Sequence, residues 1–487
     1  MYRMLQNIVE KRGNDVGFVC DEEMVTYNEC REKTIEIANF LIESGVKKGD
    51  KVGLIMDTPL DFVYSLMAIS YCRAVVVPIY LRQGKDKIKE LLTYYEISFV
   101  FSKEANELFE DNCDYEVSET VDAKYQLFYN KKYVTDLELK DTALMLFSSG
   151  TTSVPKAVML SYENIMSNIK SIIGYLKIDE KDRILIVKNL NHASSIVGEL
   201  LVGLYAESCI YMTRKLIKMN TLLRMIQNNR ITMFFAIPYI LENLLEYKKS
   251  DQFDITSLKQ VNFYGGKLHG EKIMELCERF PNINFIYSYG LTEASPRVTY
   301  ISREELQNHY HSCGKEIENV KVEIRDENGA IVSRGIEGEI TVEGPNVMKG
   351  YYKNPELSKR TVKNGILYTK DIGYKDDEGF LYVTGRKDNM FIIAGKNVHP
   401  EEIEGVFNED ESVKESVVTF KEQDNCIEAY VLMNEGYTFD EMKMYQLCKA
   451  KLEFYKIPQK IFNVREFDRT VSGKIIRNQE FGTKVII

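Results

Sequence analysis

A short stretch rich in hydroxyl side chains, SSGTTSVPK at residues 148–156, has the composition of an anion-binding loop. Gly150 lets the backbone approach a ligand closely, and Lys156 supplies a mobile positive charge. The hydroxyl groups stand beside backbone N–H groups, and such a loop can surround a polyphosphate. The hydroxyl groups belong to Ser148, Ser149, Thr151 and Thr152. On composition alone, a solvated Ser/Thr loop is the alternative to a phosphate-binding loop. Other segments of the sequence are needed to choose between the two.

The standard nucleotide-binding motifs do not fit this sequence. A Walker-type loop requires G-x-x-x-x-G-K-[ST], but Pro155 replaces the second glycine and Ala157 replaces the final hydroxyl residue. The segment SGKI at 472–475 also fails, because Asp468 occupies the place of the first glycine. No G-x-G-x-x-G follows a strand-like run. A phosphate site here would therefore belong to another kind of nucleotide-binding fold.

Apolar runs and helix-like stretches alternate through about the first 300 residues, as in KVGLIM followed by PLDFVYSLMAISYCRA. This alternation predicts parallel sheets covered by helices. After residue 312, Asn-Gly and Glu-Gly punctuation predicts hairpins in a small β-barrel or distorted sheet. A last α+β unit begins near residue 387. The predicted fold is α/β: a large N-terminal domain, 1–386, with two layered α/β subdomains and the β-barrel, then a small mobile domain, 387–487.

Length and composition narrow the function classes. The 487 residues exceed one compact core, which stops growing at about 250–300 residues. The formal net charge of −10 disfavours nucleic acid as a partner. The N-terminus lacks an apolar signal segment, and the strongest apolar run, 74–80, is too short to span a membrane. Nine cysteines without paired spacing predict reduced thiols and a cytoplasmic location.

Five segments in order resemble the motifs of the adenylate-forming superfamily, which includes acyl-CoA synthetases, luciferases and peptide-synthetase adenylation domains. The resemblance covers nearly the whole chain. It implies that a carboxylic acid attacks ATP to give an acyl-adenylate and pyrophosphate, and that a thiol of CoA or of carrier-protein phosphopantetheine then takes the acyl group. The segments are FSSGTTSVPKAVMLSYENI, YGLTEAS, GEITVEGPNVMKGYYKNPELS, LYTKDIGY with LYVTGRKDNMFIIAGKNVHPEEIE, and DRTVSGKIIRN.

The resemblance implies a role for each nucleotide-side residue. The loop from Ser148 to Thr152, including Ser149, Gly150 and Thr151, would hold the β- and γ-phosphates together with Lys156. Tyr289 would stack on adenine, beside the close backbone approaches at Gly265, Gly266 and Gly290. Asp371 and Arg386 would bind the ribose. Thr292 would bond the α-phosphate, and Glu293 would hold Mg²⁺.

Other residues would act in catalysis, domain movement and thiol binding. Lys474 would neutralise the charge that builds as the acid carboxylate meets the α-phosphate. Asp388 would be the hinge of the C-terminal domain, and Gly395 and Lys396 would line the thiol tunnel. Three positions depart from the family pattern, since Ser153, Ala157 and Lys370 replace glycines. Lys370 would place a cation next to the ribose site.

The acid pocket is less well specified. NLNHASSIVGEL at 189–200 resembles the segment that gates it, with His192 on the carboxylate side and Ala193 where amino-acid-activating members have an aspartate. An ammonium group buried without a carboxylate would be costly, so a fatty or aryl acid is expected. FFAIPYILENLL at 234–245 suggests an apolar helix along the pocket. The alternatives are a stand-alone domain that loads an amino or aryl acid onto a separate carrier protein, and a non-catalytic nucleotide-binding scaffold.

Overall fold

The computed structural model describes most of the chain with side chains. The described residues are 1–103, 109, 115–121, 125–132, 139, 141–148, 155–214, 218–266, 268, 270–393, 396–421, 424, 426–469, 475–477 and 485–486. Within them, strands and helices alternate up to residue 289, and strands dominate from 299 to 398.

The strands have the following bounds: β1 Val16–Cys20, β2 Glu23–Thr26, β3 Lys51–Ile55, β4 Val75–Pro78, β5 Phe99–Ser102, β6 Tyr115–Val121, β7 Tyr125–Asn130, β8 Thr142–Ser148, β9 Lys156–Ser161, β10 Arg183–Ile186, β11 Cys209–Met212, β12 Met233–Ala236, β13 Gln260–Tyr264, β14 Asn284–Tyr289, β15 Thr299–Ile301, β16 Lys315–Glu316, β17 Lys321–Arg325, β18 Gly338–Glu343, β19 Gly350–Tyr351, β20 Val362–Lys363, β21 Ile366–Lys375, β22 Leu381–Arg386, β23 Phe391–Ile393, β24 Lys396–Val398, β25 Val413–Lys421, β26 Cys426–Met433 and β27 Lys460–Val464.

The helices cover Tyr2–Arg12, Tyr27–Glu43, Pro59–Tyr71, Lys85–Tyr94, Tyr162–Leu176, Ala193–Ser195, Val202–Tyr205, Met219–Asn229, Pro238–Glu246, Gly270–Arg279, Arg303–Leu306, Pro355–Thr361, Pro400–Asn408 and Glu441–Lys451. A π-helical segment, Ile196–Leu201, joins two of them, and short 3₁₀ turns lie at Leu81–Gln83, Ser250–Gln252, Thr292–Ala294 and Phe454–Lys456. Local sequence explains some starts: Ser161 and Asn164 form a reciprocal cap at the head of the helix Tyr162–Leu176.

Two large sheets form the first part of the molecule. Within the described residues, one has the order β16-β15-β14-β13-β12-β10-β11-β1-β2 and the other β19-β9-β8-β4-β3-β5-β7-β6. The central strands of both sheets are parallel, as their continuous apolar runs predict. The edges are antiparallel, for example β14 with β15 and β8 with β9. Both sheets therefore have the predicted parallel strands at their centres and antiparallel strands at their edges.

Helices between the two sheets bury one shared core. Ile37, Leu66 and Ile169 come from the helices Tyr27–Glu43, Pro59–Tyr71 and Tyr162–Leu176, and all three are fully buried. Val52 from β3 and Ile184 from β10 belong to the same apolar cluster. Burial of this apolar surface joins the two layers and fixes where the sheet edges meet.

A smaller antiparallel sheet and a last α+β unit complete the described chain. The smaller sheet contains β17, β18, β21, β20 and β22. The last unit has the sheet β25-β26-β27, with β26 and β27 parallel, and a core of its own that includes Ile403 and Val431. Within 234–245, the β-favouring start of the segment lies in β12, and the expected helix begins at Pro238.

Candidate active site

The hydroxyl-rich stretch lies between two paired strands. Ser148 ends β8 and is registered opposite Lys156, the first residue of β9. Ser149, Gly150, Thr151 and Thr152 lie outside the described residues. The antiparallel pairing nevertheless brings the two ends of the loop together, so the hydroxyl of Ser148 and the ammonium of Lys156 flank the same place at the sheet edge.

Glu293 is held beside the end of this hairpin. Gly350 and Tyr351 of β19 pair with Met159 and Val158 of β9. From this position the Tyr351 hydroxyl donates to Glu293 Oε1 at 2.8 Å, and Lys156 Nζ lies 5.6 Å from the centre of the Tyr351 ring. Burial and then the adjacent Glu293 carboxylate raise the pKa of Tyr351. Tyr351, which sequence reasoning missed, therefore links the predicted metal ligand to the predicted phosphate lysine.

Two buried asparagines fix the backbone around Glu293. Asn168 and Asn346 each donate to the carbonyls of Ala294 and Arg297, over 2.8–3.3 Å. The Met348 N–H donates to the Glu293 carbonyl at 2.9 Å. Because these bonds come from two separate segments, the helix Tyr162–Leu176 and the stretch between β18 and β19, the 3₁₀ turn Thr292–Ala294 that carries Thr292 and Glu293 is held from two sides.

Gly290 allows the close packing of this turn against the strand before it. A Cβ atom at Gly290 would stand 1.8 Å from the Pro296 carbonyl oxygen, well inside any permitted contact. The sequence YGLTEASP can therefore fold back on itself only with glycine at this position.

Asp371 connects the predicted adenine and ribose residues. It is buried, at 6% exposure, in the middle of β21. The Tyr289 hydroxyl donates to its Oδ2 and Arg386 Nη1 donates to its Oδ1, each at 2.5 Å. Arg386 reaches it because β21 and β22 pair with Asp371 directly opposite Arg386. Burial and the neighbouring Asp371 carboxylate raise the pKa of Tyr289 well above its usual range, so this phenol stays protonated and remains a donor.

Lys370 adopts the conformation that explains why the family has glycine before this aspartate. Its φ is +64°, in the left-handed region that a side chain disfavours. Its ammonium group pairs with Asp388, the predicted hinge residue, at 2.9 and 3.1 Å. The Lys387 N–H also donates to the Lys370 carbonyl. The unusual lysine is thus accommodated and bound to the segment that leads into the last unit.

The predicted acid-pocket residues lie in segments that follow strands β10 and β13 of the nine-stranded sheet. His192 precedes the short helix Ala193–Ser195, where Ala193 is buried at 3% exposure, and the π-helical segment follows. Gly265 follows β13 with a φ of +84°, and Gly266 comes next. Nearby, Lys188 Nζ lies 3.2 Å from Glu199 Oε1, and the Arg297 guanidinium lies 3.5 Å from the centre of the Tyr264 ring. Sequence reasoning missed these charged residues, although they lie within or beside the segments it identified.

The C-terminal predictions are only partly within the described chain. Lys474 and Gly395 lie outside the described residues. Lys396 begins β24, with its ammonium 4.3 Å from the centre of the Tyr455 ring. Arg477 forms two hydrogen bonds with the buried Glu404, at 2.5 and 2.6 Å, which attaches the lysine-motif segment to the helix Pro400–Asn408. Within the described residues, no helix has the length and apolar character needed to cross a membrane.

The site therefore contains three elements. Lys156 supplies a cation at the hairpin end, and Glu293 supplies a carboxylate on a rigid turn. Asp371 is a buried carboxylate between the Tyr289 phenol and the Arg386 guanidinium. A family model described as AMP-binding enzyme matches residues 5–352, which is more than half of the chain. The chain belongs to this family. It is an AMP-forming acid–thiol ligase of the adenylate-forming superfamily, which activates a carboxylic acid with ATP in the presence of Mg²⁺ and transfers the acyl group to a thiol.

The chain is similar over nearly its whole length to acid–CoA ligases of Bacillus species. It is 28% identical over 468 residues to the 2-succinylbenzoate–CoA ligase of Bacillus cereus strain Q1, covering 94% of each chain. The Bacillus subtilis o-succinylbenzoate CoA synthetase bound to its acyl-adenylate is 25% identical, with a TM-score of 0.86 and coverage of 98% and 97%. The same synthetase with ATP and magnesium has a TM-score of 0.83. These comparisons confirm the predicted family, fold class and type of reaction.

Proposed function

We propose that this enzyme joins an aromatic carboxylic acid of the 2-succinylbenzoate type to CoA. Similarity over 94% of the chain to 2-succinylbenzoate–CoA ligases is the observation that carries the proposal. CoA as the acceptor is preferred to a carrier protein because the relatives act on CoA. Glu199, the carboxylate nearest to Ala193 in the sequence, is paired with Lys188, which disfavours an α-amino acid as the substrate.

We propose that Asp371, Arg386 and Tyr289 hold the nucleoside of ATP. A carboxylate accepts from two hydroxyls at once, so Asp371 can exchange its present donors for the ribose hydroxyls. Arg386 would then bond the ribose, and the Tyr289 ring would stack on adenine beside Gly265, Gly266 and Gly290. The buried position of Asp371 favours such bonds over bonds to water.

For the phosphates, we propose that the loop from Ser148 to Thr152, with Ser149, Gly150 and Thr151, surrounds the β- and γ-groups and that Lys156 neutralises them. Thr292 would bond the α-phosphate. Mg²⁺ prefers oxygen ligands such as those of a carboxylate, so Glu293 fits as its ligand. Bound there, the ion would supply charge neutralisation to the phosphates.

For the acid and the thiol, we propose that Lys474 neutralises the meeting carboxylate and α-phosphate, and that His192 and Ala193 border the acid. Gly395 and Lys396 would line the path of the thiol arm. We also propose the domain division 1–386 and 387–487, with Asp388 as the hinge. The separate core of the last unit supports this division.

The test is ATP–pyrophosphate exchange with Mg²⁺ and no thiol, over a panel of succinylated aryl, simple aryl, fatty and amino acids. We expect 2-succinylbenzoate to drive exchange at least about tenfold faster than the other classes. CoA and a phosphopantetheinylated carrier protein are then compared as acceptors by AMP release. Exchange driven only by amino acids, or AMP release only with the carrier, would overturn the proposal.

A further inference from the structure

Four side chains form a buried charged cluster at the acid-side edge of the nine-stranded sheet. We call Lys188, Glu199, Tyr264 and Arg297 the basic cluster. Lys188 Nζ lies 3.2 Å from Glu199 Oε1 and 3.6 Å from the centre of the Tyr264 ring. The Tyr264 hydroxyl donates to Glu199 Oε1 and accepts from Lys188. The guanidinium of Arg297 lies against the Tyr264 ring at 3.5 Å.

The charges of the basic cluster do not balance. Two cations face one carboxylate, which leaves a net charge of +1. Arg297 is only 2% exposed, and its Nε and Nη2 groups have no hydrogen-bond acceptor among the described residues. The hydroxyl of Ser195, one helical turn before Glu199, is buried and equally without a partner there. Glu199 Oε2 is a buried acceptor that is likewise without a partner there, so the unpaired donors of Arg297 outnumber it. Unpaired buried donors are costly, so this group has spare capacity for an anion.

Each member borders a segment proposed to face the substrates. Lys188 immediately precedes the acid-gating segment 189–200, and Glu199 lies inside it. Tyr264 precedes Gly265 and Gly266, and Arg297 comes four residues after Glu293. The space around Arg297 is also tight, because a Cβ atom at Gly198 would stand 3.2 Å from Nη2. The donors of Arg297 therefore lie on the acid side of the site, next to the residues that border the acid.

We propose that Lys188 and Arg297 bind a second anionic group on the acid substrate, so that the enzyme selects a dicarboxylic acid. This inference rests on the proposed function, because it assumes that the acid lies at this edge. One carboxylate of the acid is activated, and the other is held by the basic cluster without chemical change. Glu199 orients the Lys188 ammonium and prevents the cluster from accumulating a charge of +2.

The experiment compares 2-succinylbenzoate with the two analogues that each keep only one of its carboxylates. ATP–pyrophosphate exchange gives KM and kcat for each acid, and thermal shift with acid alone gives binding without ATP. We expect the diacid KM to be roughly 10–100-fold below that of the better monoacid, as for one hydrogen-bonded ion pair. The variant K188M should raise the diacid KM roughly tenfold or more and leave the monoacid KM and the ATP KM unchanged.

A second variant, E199Q, tests the charge of the cluster independently, in case K188M fails to fold. E199Q keeps the side-chain size and raises the net charge of the cluster to +2, so the diacid KM should stay equal or fall while the monoacid KM stays constant. K375M is the matched control, because Lys375 is 18% exposed against 17% for Lys188 and also pairs with a glutamate, Glu316. It should change neither acid's KM.

The outcomes separate this inference from the proposed function. Equal KM values for the diacid and a monoacid, or a K188M defect shared by both acids or by ATP, would overturn the inference while acid activation stands. Exchange driven by a different dicarboxylic acid would overturn the 2-succinylbenzoate proposal and support the role of the cluster. If no acid drives exchange and none shifts the unfolding temperature, both proposals fail.

Discussion

At the scale of single residues, Asp371 is the point where three predicted nucleotide contacts meet. One buried carboxylate accepts from a phenol and from a guanidinium that reach it from different strands. Each of these bonds involves an ionised group, which makes it about twice as strong as a neutral one. The residue is therefore expected to control affinity for ATP more than affinity for the acid.

The variant D371N should raise the KM for ATP. Losing the charge weakens hydrogen bonds worth about 1.5–3 kcal/mol, so kcat/KM for ATP should fall roughly 10–100-fold while the acid KM changes little. D326N is the control, because Asp326 accepts only turn N–H groups and an amide oxygen accepts them equally well. A D371N enzyme with unchanged ATP kinetics in an exchange assay would remove Asp371 from the ribose site.

Lys370 combines an unfavourable backbone conformation with an ion pair. Lys177 has a similar φ, +52°, at the end of the helix Tyr162–Leu176, and it forms no ion pair with the other described residues. Glycine relieves the conformational cost at both sites, so K177G should raise the free energy of unfolding by about 1 kcal/mol. K370G should raise it by less, because it also removes an exposed pair worth about 0.2–1 kcal/mol. If denaturant titrations gave the same increase in the free energy of unfolding for K177G and K370G, the Lys370–Asp388 pair would contribute nothing to stability.

Lys188 should make acid binding depend on pH. Burial lowers its pKa to about 8, although Glu199 opposes this shift and Arg297 adds to it. Only the protonated amine attracts an anion, so affinity for the diacid is present below pH 8 and is lost above it. We expect the diacid KM to rise roughly tenfold between about pH 7 and about pH 9, with Glu199, Tyr264 and Arg297 as the surrounding groups. The rise should be absent in K188M; a wild-type KM that stays flat would contradict this prediction.

At the scale of elements, the site depends on short turns at the ends of central strands. Gly265 directly follows the end of β13, and Gly290 directly follows the end of β14, before the turn that carries Glu293. The carboxyl ends of neighbouring parallel strands meet at one edge, which gathers these turns together. In the other sheet, β19 pairs with β9 and places Tyr351 where its hydroxyl donates to Glu293.

Two glycine substitutions test this dependence. G290A places a Cβ atom 1.8 Å from the Pro296 carbonyl oxygen, so the turn must move, at a cost of about 3 kcal/mol or more. Exchange activity and the unfolding temperature should both fall sharply. G405A, in the helix Pro400–Asn408, meets no atom within 4 Å and should raise the helix stability by about 1 kcal/mol. A G290A enzyme as active and as stable as G405A would show that the turn is not tightly constrained.

Sequence patterns predicted the central strands better than they predicted the strands at the sheet edges and the long-range contacts between side chains. Continuous apolar runs such as those of β3, β12 and β13 identify buried strands because both faces of these strands are covered. The antiparallel partners β15 and β16 are only two or three residues long and carry little pattern. The basic cluster joins Lys188 to Arg297 across more than a hundred residues, and no local spacing can show such a contact. Lys188, which immediately precedes segment 189–200, and Glu199 within it were its signals in the sequence.

At the scale of the whole molecule, the family assignment explains how an acidic protein with a net charge of −10 binds anionic substrates. Each proposed anion site has its own cation: Lys156 at the hairpin end, Arg386 beside Asp371, and Lys188 with Arg297 at the proposed acid site. Local potential, and not the overall charge, determines what each place binds. The Lys370–Asp388 pair lies where the large domain leads into the last unit, so the proposed hinge is attached directly next to the proposed ribose site.

The most direct test of the account is to incubate the enzyme with 2-succinylbenzoate, ATP, Mg²⁺ and CoA and to identify the products by mass spectrometry. The account predicts the CoA thioester of the acid, with AMP and pyrophosphate formed in equal amounts to it. Formation of ADP, or the absence of both thioester and AMP while other acids are converted, would contradict the central claim.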